Sequence, residues 1–203
     1  MDRKTLGVGV GIFVVIGFAV MITFLFGRPD TFIGTTYAEP YPVASDFELM
    51  RADGEIFRLV DQRGKVVLLF FGYTSCPDVC PTTMAEMKQA IDRLSPDNAK
   101  HVQVVFVSVD PKRDTPEKIQ EYANHFNPLF IGLSGSEEEL SKIWNDYGIY
   151  RLEVPGESAL GYTVDHTARV TVIDQDGRMR VSFGFQTPVE DIVHDLQLIL
   201  KRD

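Results

Sequence analysis

Hydrophobic and polar positions follow three different rhythms along this chain, and each predicts a different kind of element. The first is an unbroken apolar run. Residues 6–27, LGVGVGIFVVIGFAVMITFLFG, carry no charge. At about 1.5 Å rise per residue a helix of this length crosses the ~30 Å hydrocarbon core of a bilayer. It is longer than the apolar stretch of a secretory signal peptide, and no A-x-A cleavage pattern closes it. A buried soluble helix is seldom apolar on every face over such a length. The second rhythm is that of strands. Phe47–Arg51 and Glu55–Leu59 flank Ala52-Asp53-Gly54, which predicts a hairpin. VVLLFF at 66–71 and VQVVFVSV at 102–109 predict central strands covered on both faces. Leu129–Leu133 predicts a short strand, and Val170–Asp174 and Met179–Phe185 predict a second hairpin about Gln175-Asp176-Gly177. The third rhythm is helical. Met84, Met87, Ala90, Ile91 and Leu94 share one face of a helix over 81–94. Thr115-Pro116 opens another helix. Ser136-x-x-Glu139 and Thr187-x-x-Glu190 read as capping boxes for helices that run to about Tyr147 and to Leu200.

The order is therefore hairpin, strand, helix, strand, helix, strand, helix, hairpin, helix. Alternating strands and helices imply βαβ units with right-handed crossovers, and the closing hairpin adds antiparallel strands to a mixed sheet. Two stretches fall outside the pattern. Residues 28–43, with three prolines and Gly34, read as a linker. Residues 148–165, with Pro155, Gly156 and Gly161, read as a long loop, and long loops in compact domains are usually functional or mobile. The resulting organisation is a short N-terminus (1–5), a transmembrane anchor (6–27), a linker (28–43) and an α/β domain (44–203).

Composition and charge narrow the function. A net charge of −9 argues against nucleic-acid binding. Arg3 and Lys4 before the apolar run leave the N-terminus in the cytoplasm and send the domain across. The expected location is a bacterial cytoplasmic membrane, single-pass, with the domain on the periplasmic side, where disulfides can form. The chain has two cysteines, and a spacing of four closes too small a loop to stabilise much. Chemistry is the better use for them.

They lie in Gly72-Tyr-Thr-Ser-Cys76-Pro-Asp-Val-Cys80-Pro81, between a central strand and a helix start. Thiols four apart lie on adjacent turns of one face, and a helix N-terminus favours the thiolate, which is both nucleophile and metal ligand. A strand that delivers a cysteine pair to a helix start, with a terminal ββα unit, looks like the thioredoxin fold. Thiol oxidoreductases of that fold usually carry C-x-x-C; the extra residue here widens the bite, although a disulfide remains possible. Of four histidines, His101, His125 and His194 read as surface residues. His166, in Tyr162-Thr-Val-Asp-His166-Thr, ends the long loop. In a thioredoxin-like fold that turn lies beside the cysteine helix, so His166 is the candidate third ligand. Two thiolates and an imidazole suit copper first and zinc second, and structural zinc would require a fourth ligand. Asp78 reads equally as a solvated carboxylate at a helix start and as a group that tunes the thiols. Asp110, Pro111 and Asp114 read as loop and cap geometry about Thr115-Pro116.

Cys76-Pro-Asp-Val-Cys80-Pro, Asp110-Pro-Lys-Arg-Asp114-Thr-Pro and Val164-Asp-His166-Thr together resemble the motifs of the Sco/SenC family of copper chaperones. The resemblance spans the anchor and the domain. It implies a thioredoxin-like fold, copper bound by Cys76, Cys80 and His166, and assembly of the dinuclear copper centre of cytochrome c oxidase. The implied partners are the copper-receiving subunit of the oxidase, a copper donor and a thiol reductant. A carrier of this kind changes no covalent bond and is not an enzyme. The competing reading is a thiol–disulfide reductase that uses Cys76 and Cys80 alone as its redox pair. A peroxidase would need a cysteine in its own threonine-rich motif, which the sequence lacks.

Overall fold

The computed structural model describes residues 17–18, 31–156 and 161–201. The anchor expected at 6–27 lies outside the described residues apart from Gly17 and Phe18, and no helix among the described residues is long and apolar enough to cross a membrane. Two compact units divide the chain, 1–31 and 32–203.

The second unit begins with β1 (Thr35–Thr36), followed by the hairpin β2 (Glu48–Met50) and β3 (Ile56–Arg58). Then come β4 (Val66–Gly72), helix α1 (Val79–Asp92), a short α2 (Pro96–Ala99), β5 (Val102–Ser108), α3 (Pro116–Phe126), β6 (Ile131–Leu133) and α4 (Glu137–Asp146). The chain closes with β7 (Arg151–Pro155), β8 (Tyr162–His166), β9 (Arg169–Ile173), β10 (Met179–Gly184) and α5 (Val189–Leu200). Six strands form one sheet in the order β1-β10-β9-β4-β5-β6. β4, β5 and β6 are parallel, whereas β9 runs antiparallel to β4, and β10 to β9. This is the mixed sheet of a thioredoxin-like fold.

The apolar runs account for the centre of the sheet. Every residue of β4 is buried, as expected of a strand covered on both faces. Phe70 of β4 stacks on Phe106 of β5, with ring centroids 5.6 Å apart. Helix α1 buries Met84, Met87, Ala90 and Ile91 and has α5 and α3 as neighbours. Thr115 caps α3 by accepting the Lys118 N–H at 3.3 Å. Ser136 and Glu139 make the expected capping box on α4.

Four expectations change. The stretch 28–43 is not all linker: β1 pairs with β10, and the N–H groups of Ile33 and Gly34 both donate to the Asp195 carboxylate, each at 2.9 Å. His194 is accordingly not a surface residue. It is buried beside Asp195, with Nδ1 2.9 Å from Oδ1, because the incoming chain folds over this part of α5. Among the described residues, the stretch 148–165 carries the antiparallel ribbon β7–β8 rather than a loop alone. The capping box expected at Thr187 does not form. Gln186 turns the chain with φ 60°, Pro188 takes the capping position, and the Thr187 hydroxyl donates back to Gly184 O.

Candidate metal centre

The site is built where β4 ends. Gly72 closes the strand, Tyr73–Ser75 turn the chain, and Cys76 precedes α1 while Cys80 lies in its first turn. A side chain at position 72 would not fit. A Cβ there would lie 2.6 Å from Cys80 Sγ and 2.7 Å from the Phe106 ring, so glycine makes the room in which the Cys80 thiol is buried. Both cysteines are free, Cys80 fully buried and Cys76 half-exposed. The Cys80 N–H donates to Cys76 Sγ at 3.4 Å.

The two thiols differ sharply in acidity. The bond from the Cys80 thiol, the Cys80 and Asp78 backbone N–H groups, and nearby His166 outweigh partial burial and hold the Cys76 thiol down to about 5. The bond to Cys76 and burial push the Cys80 thiol far up. Cys76 is therefore the accessible thiolate and Cys80 the buried thiol.

His166 arrives at the end of β8. Its Nδ1 lies 3.0 Å from Val164 O. A carbonyl only accepts, so Nδ1 carries the hydrogen and Nε2 of the neutral ring keeps its lone pair. That Nε2 lies 4.0 Å from Cys80 Sγ. An ion held by one sulfur at about 2.3 Å and one imidazole nitrogen at about 2.0–2.1 Å keeps the two donors roughly 3.5–4.4 Å apart, so this pair fits a shared ion. The donor types, two sulfurs and an oriented imidazole, fit a soft metal such as copper. Among the described residues, no three His, Cys, Asp or Glu side chains are already gathered closely enough to hold a metal. Cys76 Sγ, the third candidate donor, accepts from the Cys80 backbone N–H. A cleft of about 280 Å³ opens beside Cys76 and His166, lined also by Tyr73, Pro77, Asp78, Val164 and Asp165; Cys80 is buried and does not line it.

The remaining motif residues hold this arrangement together. Asp114 is buried. Its carboxylate accepts the Thr74 N–H at 3.1 Å, the Thr74 hydroxyl at 2.6 Å and the Ser108 hydroxyl at 2.9 Å, fixing the turn that leads to Cys76. Burial pushes its carboxyl up, against the pull of these donors. Asp110, also buried, accepts the Tyr162 hydroxyl at 2.8 Å and pairs with Arg113. Both carboxylates thus reach far beyond the local cap that the sequence suggests. Asp78 is exposed at the start of α1, makes no capping bond to the backbone and accepts the Thr82 hydroxyl at 3.4 Å. His101 and His125 lie exposed, each bonded to a carbonyl of its own helical turn, far in sequence from the cysteines. Sequence reasoning passes over Tyr73 and Tyr162. The alternation Tyr162, Val164, His166 is the signal that reveals a strand with His166 on the same face as Tyr162.

The sequence profile of the SCO1/SenC family matches residues 35–201. The chain belongs to the SCO1/SenC family. A SCO2-like protein of Rickettsia felis is 34% identical over 165 residues, spanning 79% of this chain and 78% of the relative. Apo Sco1 from Thermus thermophilus superposes with a TM-score of 0.74 at 42% identity, covering 84% of this SCO1/SenC chain and 98% of that one. Copper-bound ScoI from Arabidopsis thaliana superposes with a TM-score of 0.73 at 31% identity, covering 79% and 99%.

Proposed function

We propose that this SCO1/SenC protein is a membrane-anchored copper carrier. It binds one copper ion through Cys76, Cys80 and His166 and passes it to the copper-receiving subunit of cytochrome c oxidase, for the dinuclear centre. Residues 6–27 hold it in a bacterial cytoplasmic membrane with the domain on the periplasmic side. The observation that carries the reading is the Cys80 Sγ to His166 Nε2 distance of 4.0 Å, with the other ring nitrogen, Nδ1, engaged by Val164 O. A dithiol reductase needs only the two thiols, whereas a metal carrier needs a further donor at this position. A half-exposed thiolate and a wide cleft suit cargo that must leave, because an incoming thiolate can add to the ion before the donors of this chain let go. Copper is the cargo and no covalent bond changes. A copper donor, and a reductant that keeps the thiols free, complete the cycle.

A second reading rests on the unequal thiols. An accessible Cys76 thiolate beside a buried Cys80 thiol is the arrangement of a thiol–disulfide reductase, which would keep the copper-ligand cysteines of the oxidase reduced. Copper retention separates the two. The reduced full-length protein in detergent is loaded with Cu(I) and challenged with a chelator. The carrier reading expects one copper per chain in the parent and at least tenfold weaker retention in both His166→Ala and Cys80→Ser. Undiminished retention in His166→Ala, with disulfide-reducing turnover lost only in the cysteine variants, would put the reductase first.

A further inference from the structure

Among the described residues, β7 and β8 pair with each other in a separate two-stranded sheet. Side chains help to tie this ribbon to the rest of the domain: Arg151 Nε donates to Val109 O at 2.8 Å and Lys112 Nζ to the Glu153 carboxylate at 2.8 Å. Arg113, in the loop after β5, lies over the Tyr162 ring with its guanidinium carbon 3.8 Å from the centroid, and 5.5 Å from the Tyr73 centroid. Its Nη1 donates to Tyr162 O at 2.9 Å, and its Nε donates to the Asp110 carboxylate. The other oxygen of that carboxylate accepts the Tyr162 hydroxyl at 2.8 Å. Burial and this bond push the Tyr162 phenol up to about 12, so it remains a donor at neutral pH. Tyr162 is thus held by its ring, its hydroxyl and its carbonyl at once. Two residues on, the Val164 N–H donates to the Tyr73 hydroxyl at 3.3 Å, and Tyr73 meets the His166 ring edge-on with centroids 5.7 Å apart. Val164 O in turn fixes the His166 tautomer. An unbroken series of contacts runs from the buried Asp110 to the imidazole.

We propose that Tyr162, clamped by Asp110 and Arg113, is the positioning residue of the metal centre: it latches the β7–β8 ribbon so that His166 Nε2 faces Cys80 Sγ, and so sets how long copper is retained. This rests on the reading of His166 as a copper ligand. Partners one step behind a metal ligand commonly alter affinity by about 10–100-fold, because a ligand on a separate element is only as well placed as its supports.

Tyr162→Phe removes one oxygen and leaves the ring; Arg113→Lys keeps the charge but removes the flat stack and the forked donors. The full-length protein is loaded with one Cu(I) per chain in detergent, and release to excess chelator is timed. Both variants are expected to release copper about tenfold faster than the parent; because each removes a partner of the buried Asp110 carboxylate, release is timed well below the unfolding temperature measured for each variant. In a His166→Ala background Tyr162→Phe is expected to add nothing, because its effect passes through the imidazole. In the copper-free protein, nitrogen NMR of the ring is expected to report the single Nδ1–H tautomer in the parent and averaged signals in Tyr162→Phe. Parent-like release and ring signals in Tyr162→Phe, or an equal acceleration in the His166→Ala background, would overturn the latch while leaving His166 as a ligand. Parent-like copper retention in His166→Ala itself would overturn the ligand assignment, and the latch with it.

Discussion

Cys76 and Cys80 are four residues apart and chemically unalike. The pull on Cys76 comes first from the Cys80 thiol and then from backbone N–H groups and His166, while Cys80 is raised by that same bond and by burial. Because the Cys76 pKa is lowered, its thiolate persists as pH falls until about 5 and is lost only below that value. Alkylation of the copper-free, reduced protein by iodoacetamide should therefore be confined to Cys76, with a rate that is flat from neutral pH down to about 6 and falls with a midpoint near 5. A midpoint near the ordinary thiol value of about 8.5, or equal labelling of Cys80, would contradict this account of the pair. At this scale the sequence is most informative where the chemistry is local. Cys76, Cys80 and His166 are legible from residue type and setting. Asp110 and Asp114 are legible only as loop carboxylates, because the partners that give them meaning, Tyr162 and Thr74, lie 52 and 40 residues away. His194 looks like a surface histidine until Ile33 and Gly34 are seen to cover its neighbour Asp195.

Elements with a long apolar run or a cap of their own are those that the pattern predicts: β4, β5, α3 and α4. Elements that exist through tertiary contacts are not. β1 has two residues and no period of its own; it is a strand because β10 offers an edge and Asp195 holds the two residues before it. Replacement Asp195→Asn puts an amide donor where the carboxylate accepts the Ile33 and Gly34 N–H groups. A buried donor or acceptor left unmatched costs about 1–3 kcal/mol. Hydrogen exchange at the Tyr37 amide, which donates to Arg180 O at 3.1 Å, should accelerate at least tenfold, with β4 and β5 amides unchanged. Unaltered protection of Tyr37 would mean that Asp195 does not secure this edge. The β7–β8 ribbon was hidden for a different reason. Pro155, Gly156 and Gly161 are turn residues, and they interrupt an alternation that is plain in Tyr162, Val164 and His166 taken alone.

Across the whole molecule, the sheet order explains why one site results. β4 is central and parallel to β5, so the Cys76 turn and the Asp110–Asp114 loop leave the sheet at the same carboxyl end, where open α/β sheets place their ligands. The β7–β8 ribbon precedes β9, which re-enters the sheet beside β4, and it brings His166 from 86 residues away to Cys80. The thiols approach from a helix start and the imidazole from a ribbon, with Cys76 and His166 lining one cleft, an arrangement suited to binding an ion and releasing it. The most direct test is copper K-edge X-ray absorption on the Cu(I)-loaded protein. The account predicts two sulfur donors and one imidazole nitrogen in the parent, with the nitrogen lost in His166→Ala. Two sulfurs alone in both proteins would contradict it and leave Cys76 and Cys80 as a redox pair without a metal centre completed by His166.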